Sequence, residues 1–163
     1  MNILVVHYSR TGTTEAVARG ATDLLAEAGH AITRMALQPR IDLPYPLWLA
    51  LSFVPGSRFP LAATPDPAGF DACLLALPKW TFSCPPVNGF LARQGSRLPP
   101  TALLVTCGGW DQDRYLAQLE RRLLGLGVPV LGGLALRKRE LERDPLPPIL
   151  RDFLGRCFPA PTL

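Results

Sequence analysis

Residues 3–8 read Ile-Leu-Val-Val-His-Tyr. A run so short and so nearly apolar suits a parallel strand buried on both faces, not the alternating pattern of a half-exposed strand. Comparable runs recur at 71–78 and 102–107, at 128–136 with two internal glycines, and more weakly at 31–37. Between these runs the period changes. Val17, Ala21, Leu24, Leu25 and Ala28 follow one-face helix spacing over 14–28, and Gly29 supplies a left-handed stop. A short helix is expected over 85–93 on Val87, Phe90 and Leu91. Another is expected over 113–126 on Leu116, Leu119, Leu123 and Leu126, and a last one from Pro147. Strands alternating with helices predict an α/β fold in which a five-stranded parallel sheet carries helices on both faces.

The 163 residues suit one domain spanning 1–163. Residues 38–70 break its rhythm with seven prolines, the apolar run Leu47–Val54 and no clear strand. Loops of this length are uncommon in compact domains and are often functional. Two readings stand for this insertion: an irregular second helix with a linker packed on the sheet, or a cap or apolar contact surface beside a site. If helical, the run is apolar all round and calls for burial, against the rest of the chain or against a second copy in a homodimer.

Composition removes several function classes. The four cysteines, 73, 84, 107 and 157, form no C-x-x-C pair, so neither a zinc site nor a dithiol redox motif is expected. The longest apolar run is too short for a transmembrane segment, and the N-terminus reads as a first strand, not as a signal peptide. A cytoplasmic protein in a reducing compartment is expected. Net charge is +4, but the basic run 137–143 alternates with Glu140 and Glu142 and reads as a solvated surface. No interleaved aromatics or motif point to nucleic acid.

In open parallel sheets, ligands bind beyond the carboxyl ends of the strands. Three loops have that address. The first, Ser9-Arg10-Thr11-Gly12-Thr13-Thr14, joins a strand to a helix N-terminus. Unpaired N–H groups and the helix dipole favour an anion there, hydroxyls add donors, and Gly12 lets the backbone curl close. A single N-cap would explain one hydroxyl but not four. G-x-x-x-x-G-K-[ST] and G-x-G-x-x-G are both absent, which argues against a nucleotide-hydrolysing loop and a standard dinucleotide site. The second loop is Pro78-Lys79-Trp80-Thr81-Phe82, followed by Pro85-Pro86. The third runs Cys107-Gly108-Gly109-Trp110 to Tyr115.

The S-x-T-G-x-T pattern of Ser9, Thr11, Gly12 and Thr14 resembles the FMN-phosphate loop of the flavodoxin family. Pro78, Trp80, the proline pair and the short helix with Val87, Phe90 and Leu91 resemble that family's turn beside the flavin ring. The resemblance covers nearly the whole chain and is weakest over 38–70. It implies a flavodoxin-like three-layer sandwich with strand order 2-1-3-4-5 and FMN as cofactor. It also implies that residues 9–14 hold the phosphate and that residues 78–82 border the isoalloxazine, with Trp80 as a stacking partner. The third loop, from Cys107, would wrap the other side of the flavin, with Gly108 and Gly109 letting backbone N–H groups approach its pyrimidine edge and Trp110, or else Tyr115, as the second aromatic. Cofactor chemistry needs no side-chain nucleophile or metal, and none stands out; His7, the histidine nearest the loop, reads as packed beneath it.

Electron-carrier flavodoxins are acidic, whereas this chain is basic and places Arg10 in the phosphate loop and Lys79 beside Trp80. A cation near the flavin N1–O2 edge would stabilise the reduced anion and raise the potential. That points to an FMN oxidoreductase passing electrons from NAD(P)H to a quinone-like, small apolar acceptor. The alternatives are an electron shuttle for an acidic redox partner protein, a binding module without flavin, and thiolate phosphate-ester chemistry. The last would use Cys107 and Arg114, but six residues separate them where the familiar cradle has five, and small wrapping residues are missing.

Overall fold

The computed structural model describes residues 1–160. Five strands form the main sheet: β1 (Asn2–His7), β2 (Ala31–Ala36), β5 (Ala72–Pro78), β6 (Thr101–Cys107) and β7 (Val130–Arg137). All pair in parallel, in the order β2-β1-β5-β6-β7. The strands β3 (Gln38–Pro39) and β4 (Leu61–Ala63) form a separate antiparallel pair. With that pair set aside, the order is the expected 2-1-3-4-5.

Alternation along each strand divides the core into two layers. Leu4, Val6, Leu75, Leu77, Leu103 and Val105 face α3 (Pro85–Gln94) and α4 (Gln112–Gly125). Ile3, Val5, Leu74, Ala76, Ala102 and Leu104 face α1 (Thr13–Glu27) and α6 (Pro148–Cys157). The central strands β1, β5 and β6 are therefore almost wholly buried, as their unbroken apolar runs require, while the edge strand β2 is largely exposed. Each fully buried leucine or valine contributes about 1.5–3 kcal/mol of transfer free energy.

Two segments take forms that the sequence left open. The basic run after β7 is a short helix, α5 (Lys138–Arg143), whose charges face solvent while Leu141 is buried. Glu140 closes its first turn by accepting the Arg137 N–H at 3.0 Å. The insertion holds the β3–β4 pair and a helix, α2 (Tyr45–Ser52). Strands of two and three residues are too short to leave a periodic signal. Nor is the run 47–54 buried all round: Trp48 and Ser52 are enclosed, whereas Leu47, Phe53 and Val54 are more than half exposed.

The insertion is pinned to the body of the domain. Trp48 is fully buried, its indole N–H donates to Asp42 at 3.2 Å, and its ring meets Phe59 and Trp80. The Ser52 carbonyl accepts the N–H groups of Phe82 and Ser83, and its hydroxyl lies 2.7 Å from that of Thr81. The segment also crosses α3 directly over Gly89, where a β-carbon would collide with the Phe59 carbonyl. Glycine at 89 is thus a packing requirement.

Candidate functional site

At the carboxyl ends of β1, β5 and β6 a cleft of about 200 Å³ opens. Its walls come from Ser9, Arg10, Thr11, Thr13 and Thr14 on the first loop, Pro78, Lys79 and Trp80 on the second, and Cys107 and Gly108 on the third. Tyr45, Thr106 and Lys138 complete it. The lining includes three cations and no carboxylate. Such a cleft concentrates anions.

The first loop is shaped by its glycine. Gly12 lies at φ 89° as the N-cap of α1, in the left-handed region where side chains are strained. Its N–H donates to the Ser9 hydroxyl at 3.0 Å. No side chain caps α1, so its first-turn N–H groups stay free for a ligand. The four hydroxyls have different duties. Thr14 is buried, and its hydroxyl lies 2.7 Å from that of Thr106 on β6, tying the helix start to the sheet. Ser9 stiffens the turn. Thr11 and Thr13 carry hydroxyls that bond to no other described residue. A helix N-terminus with two free hydroxyls and nearby cations is chemically suited to a phosphate.

Arg10 is exposed, with its guanidinium carbon 5.3 Å from the centre of the Tyr45 ring. The loop's cation is thereby coupled to the insertion. Lys79 is more unusual. It is buried, with its ammonium 4.4 Å from the Trp110 ring centre and 5.9 Å from that of Tyr115. It forms no ion pair among the described residues, and burial lowers its pKa against the opposing influence of Asp111. The two ring faces supply part of the solvation that the ammonium loses.

Trp80 is half-buried on the cleft wall, edge-on to Tyr8 at 5.5 Å and tilted against Trp48 at 5.9 Å. Phe82 and Trp110 stand exposed outside the lining, with ring centres 6.4 Å apart. Phe53 extends the series, 6.1 Å from Phe82. Thr81 spends its hydroxyl on Ser52, and Gly109 turns the third loop at φ 105° without reaching the cleft. Tyr115 is not a cleft residue. It lies within α4, buried, and faces a second cavity.

Of the wall residues outside the sequence reading, Lys138 had a signal. It directly follows the fifth strand, so the carboxyl-end rule that picked the other loops also reaches it. Thr106 had a weaker one, as the penultimate strand residue. Tyr45 had none, because its place depends on how the insertion folds back.

His7 is buried, with Nδ1 unpartnered, and burial and Arg34 lower its pKa. It therefore packs as a neutral ring. The Cys107 thiol accompanies it on the unreactive side: burial raises its pKa, and its sulfur donates to the Leu136 carbonyl at 3.7 Å. Arg114 points to solvent from α4, and the thiolate phosphatase reading fails on both counts. No group of metal-ligating side chains occurs among the described residues, and none of their helices is long and apolar enough to cross a membrane.

Known structures share this architecture. Two-electron reduced flavodoxin from Megasphaera elsdenii superposes with a TM-score of 0.63 at 16% identity, over 95% of this chain and 97% of that one. A flavoprotein from Lactobacillus acidophilus in complex with FMN gives 0.65 at 16% identity, over 87% and 96%. NAD(P)H:quinone oxidoreductase from Methanothermobacter marburgensis gives 0.53 at 19% identity, over 96% and 95%. The fold is therefore flavodoxin-like. Within it, the chain belongs to one family with an uncharacterized protein of Archaeoglobus fulgidus, 32% identical over 138 residues that cover 85% of this chain and 87% of that protein. No family model matches the sequence.

Proposed function

We propose that the chain binds FMN in the cleft and serves as an oxidoreductase that passes electrons from NAD(P)H to a quinone-like acceptor. The observation that carries this reading is the cleft itself: three loops at the carboxyl ends of adjacent strands, with three cations, no carboxylate and a flat aromatic wall. Bound there, FMN supplies the redox chemistry, and the protein supplies binding, orientation and electrostatics. Thr11, Thr13 and the first-turn N–H groups of α1 hold the phosphate. Trp80 walls one side of the ring. The cleft is smaller than the roughly 300–1,000 Å³ typical of enclosing ligand pockets, so it would enclose only part of the ring. Lys79, buried and without a carboxylate partner, favours added negative charge on a ring beside it. This sets the chain apart from acidic electron carriers.

The first test is colour and fluorescence. Protein purified with its cofactor is expected to be yellow, and the apoprotein to quench FMN fluorescence at one equivalent; a colourless protein that leaves FMN fluorescence unchanged removes the reading. The second test is the midpoint potential of the FMN-loaded protein. Lys79→Met is expected to lower it by on the order of tens of millivolts, the effect of one nearby charge in a partly solvated site. An unchanged potential means that Lys79 does not act on the ring.

The exposed rings of Phe53, Phe82 and Trp110 favour a second reading, in which a redox partner protein docks at the cleft mouth. An oxidoreductase turns over with NAD(P)H and a quinone alone, and a shuttle does not.

A further inference from the structure

A second cavity, of about 410 Å³, lies beyond the 78–82 loop. Its wall joins Arg58 of the insertion, Phe82 and Ser83 of the loop, and Tyr115, Gln118 and Arg122 of α4. Two arginines face this space, and no carboxylate lines it. Arg58 is exposed and neither hydrogen-bonded nor ion-paired among the described residues. Arg122 is half-buried and held in place. Its guanidinium donates to the side-chain oxygen of Asn88 and, at 3.4 Å, to the Asn88 carbonyl. Asn88 is itself buried and donates to the Ser57 carbonyl at 2.7 Å. Burial and the neighbouring Arg58 both press on the Arg122 charge. Two like charges thus share one cavity with nothing to neutralise them, and one is oriented by a buried amide. This arrangement suits a ligand that brings negative charge.

We propose that this cavity binds a phosphate monoester, and specifically the ribose 2′-phosphate that distinguishes NADPH from NADH. The free donors of Arg58 and the two positive charges suit a group that carries about −1.5 to −2 charge at neutral pH and has three acceptor oxygens, more negative charge than a carboxylate brings. Arginine serves the same end in dinucleotide sites that accept the 2′-phosphate. Position fits as well. Phe82 lines this cavity, its ring stands 6.4 Å from that of Trp110, and Trp110 lies against the ammonium of the cleft residue Lys79, so a chain of contacts links the two spaces. The identity of the ligand rests on the oxidoreductase reading, whereas the anion site rests on the cavity alone.

The test is calorimetric titration of protein saturated with FMN, so that the 9–14 loop is already filled, using 2′-AMP, adenosine and inorganic phosphate as probes. Turnover with NADPH and NADH is measured in parallel. Binding of 2′-AMP but not adenosine is expected. Arg58→Gln and Arg122→Gln should each weaken it about tenfold, the size of one lost charge-assisted bond. A lower KM for NADPH than for NADH is expected, with the gap closing in both variants. Arg58 makes no internal bond, so its variant folds normally, and matching thermal melts verify this. Absence of 2′-AMP binding, or binding by both variants as tight as by wild type, overturns the proposal. Binding of inorganic phosphate alone overturns the assignment to an electron donor. Turnover that ignores the 2′-phosphate, in wild type and variants alike, overturns the proposal and leaves the oxidoreductase intact. Arginine-dependent 2′-AMP binding without turnover by either nucleotide supports the site and removes the oxidoreductase.

Discussion

The 9–14 loop and the 38–70 insertion both reach the same cleft, and they are built on opposite principles. The loop is local. Its geometry follows from one glycine at φ 89°, one serine hydroxyl three residues away and the start of a helix. The insertion is held by distant partners, Trp48 against Trp80 and Ser52 against Thr81 to Ser83, and it delivers Tyr45 to the cleft only because those contacts form. The loop supplies polar groups for an anion, and the insertion supplies the scaffold behind the aromatic wall. Damage to the loop should therefore cost affinity, and damage to the insertion should cost stability first.

The largest effect is expected at Trp48. Trp48→Ala empties a fully buried site and should destabilise the fold by about 3–5 kcal/mol in chemical denaturation. FMN affinity should fall with it as the wall carrying Trp80 loosens. Because Trp48 is enclosed within the chain, oligomer mass in sedimentation should stay unchanged. Stability close to that of wild type would mean that the insertion is a loose appendage, and the contrast would collapse.

Thr14 and Thr13 sharpen the comparison inside the loop itself. Thr14→Val leaves the buried Thr106 hydroxyl without its partner and should cost about 1–3 kcal/mol of stability. Thr13→Val should leave the melt almost unchanged and weaken FMN binding several-fold in fluorescence titration. Equal effects of the two on affinity would show that the division between structural and ligand-facing hydroxyls is wrong.

The smallest effect concerns His7, beneath the loop. Its pKa is lowered in the folded state, so the unfolded chain binds more protons as the pH drops below the ordinary value of 6.5. By linkage the contribution of His7 is full above that value and is lost as the pH falls from there toward the lowered pKa. Melting temperature should therefore decline on mild acidification, and His7→Gln should flatten that decline. An identical pH slope in the variant would show that His7 does not titrate differently on folding.

Much of this molecule was legible as sequence because the signals involved are short-range. Unbroken apolar runs identify strands buried on both faces, one-face spacing identifies the helices, and the glycine before Thr13 marks the turn into the first helix. The pairs β3 and β4 left no trace because so few residues pair. Tyr115, the second candidate after Trp110 for the ring-side aromatic, lies in the helix that begins at Gln112 and is buried outside the cleft lining. Phe82 and Trp110 stand exposed outside the wall of the cleft, which loop composition does not distinguish.

The sequence by itself determined the layered α/β architecture, the address of the three loops and the hydroxyl-rich, glycine-turned chemistry of the first, since periodicity and turn chemistry act within a few residues. Tertiary structure alone decided which hydroxyls are free, for Thr14 is spent on a partner 92 residues away. It also set Arg10 over Tyr45, buried Lys79 against Trp110 and brought Arg58 and Arg122 to one cavity. Each of these depends on how distant segments pack, and packing is a property of the whole chain that no local spacing encodes.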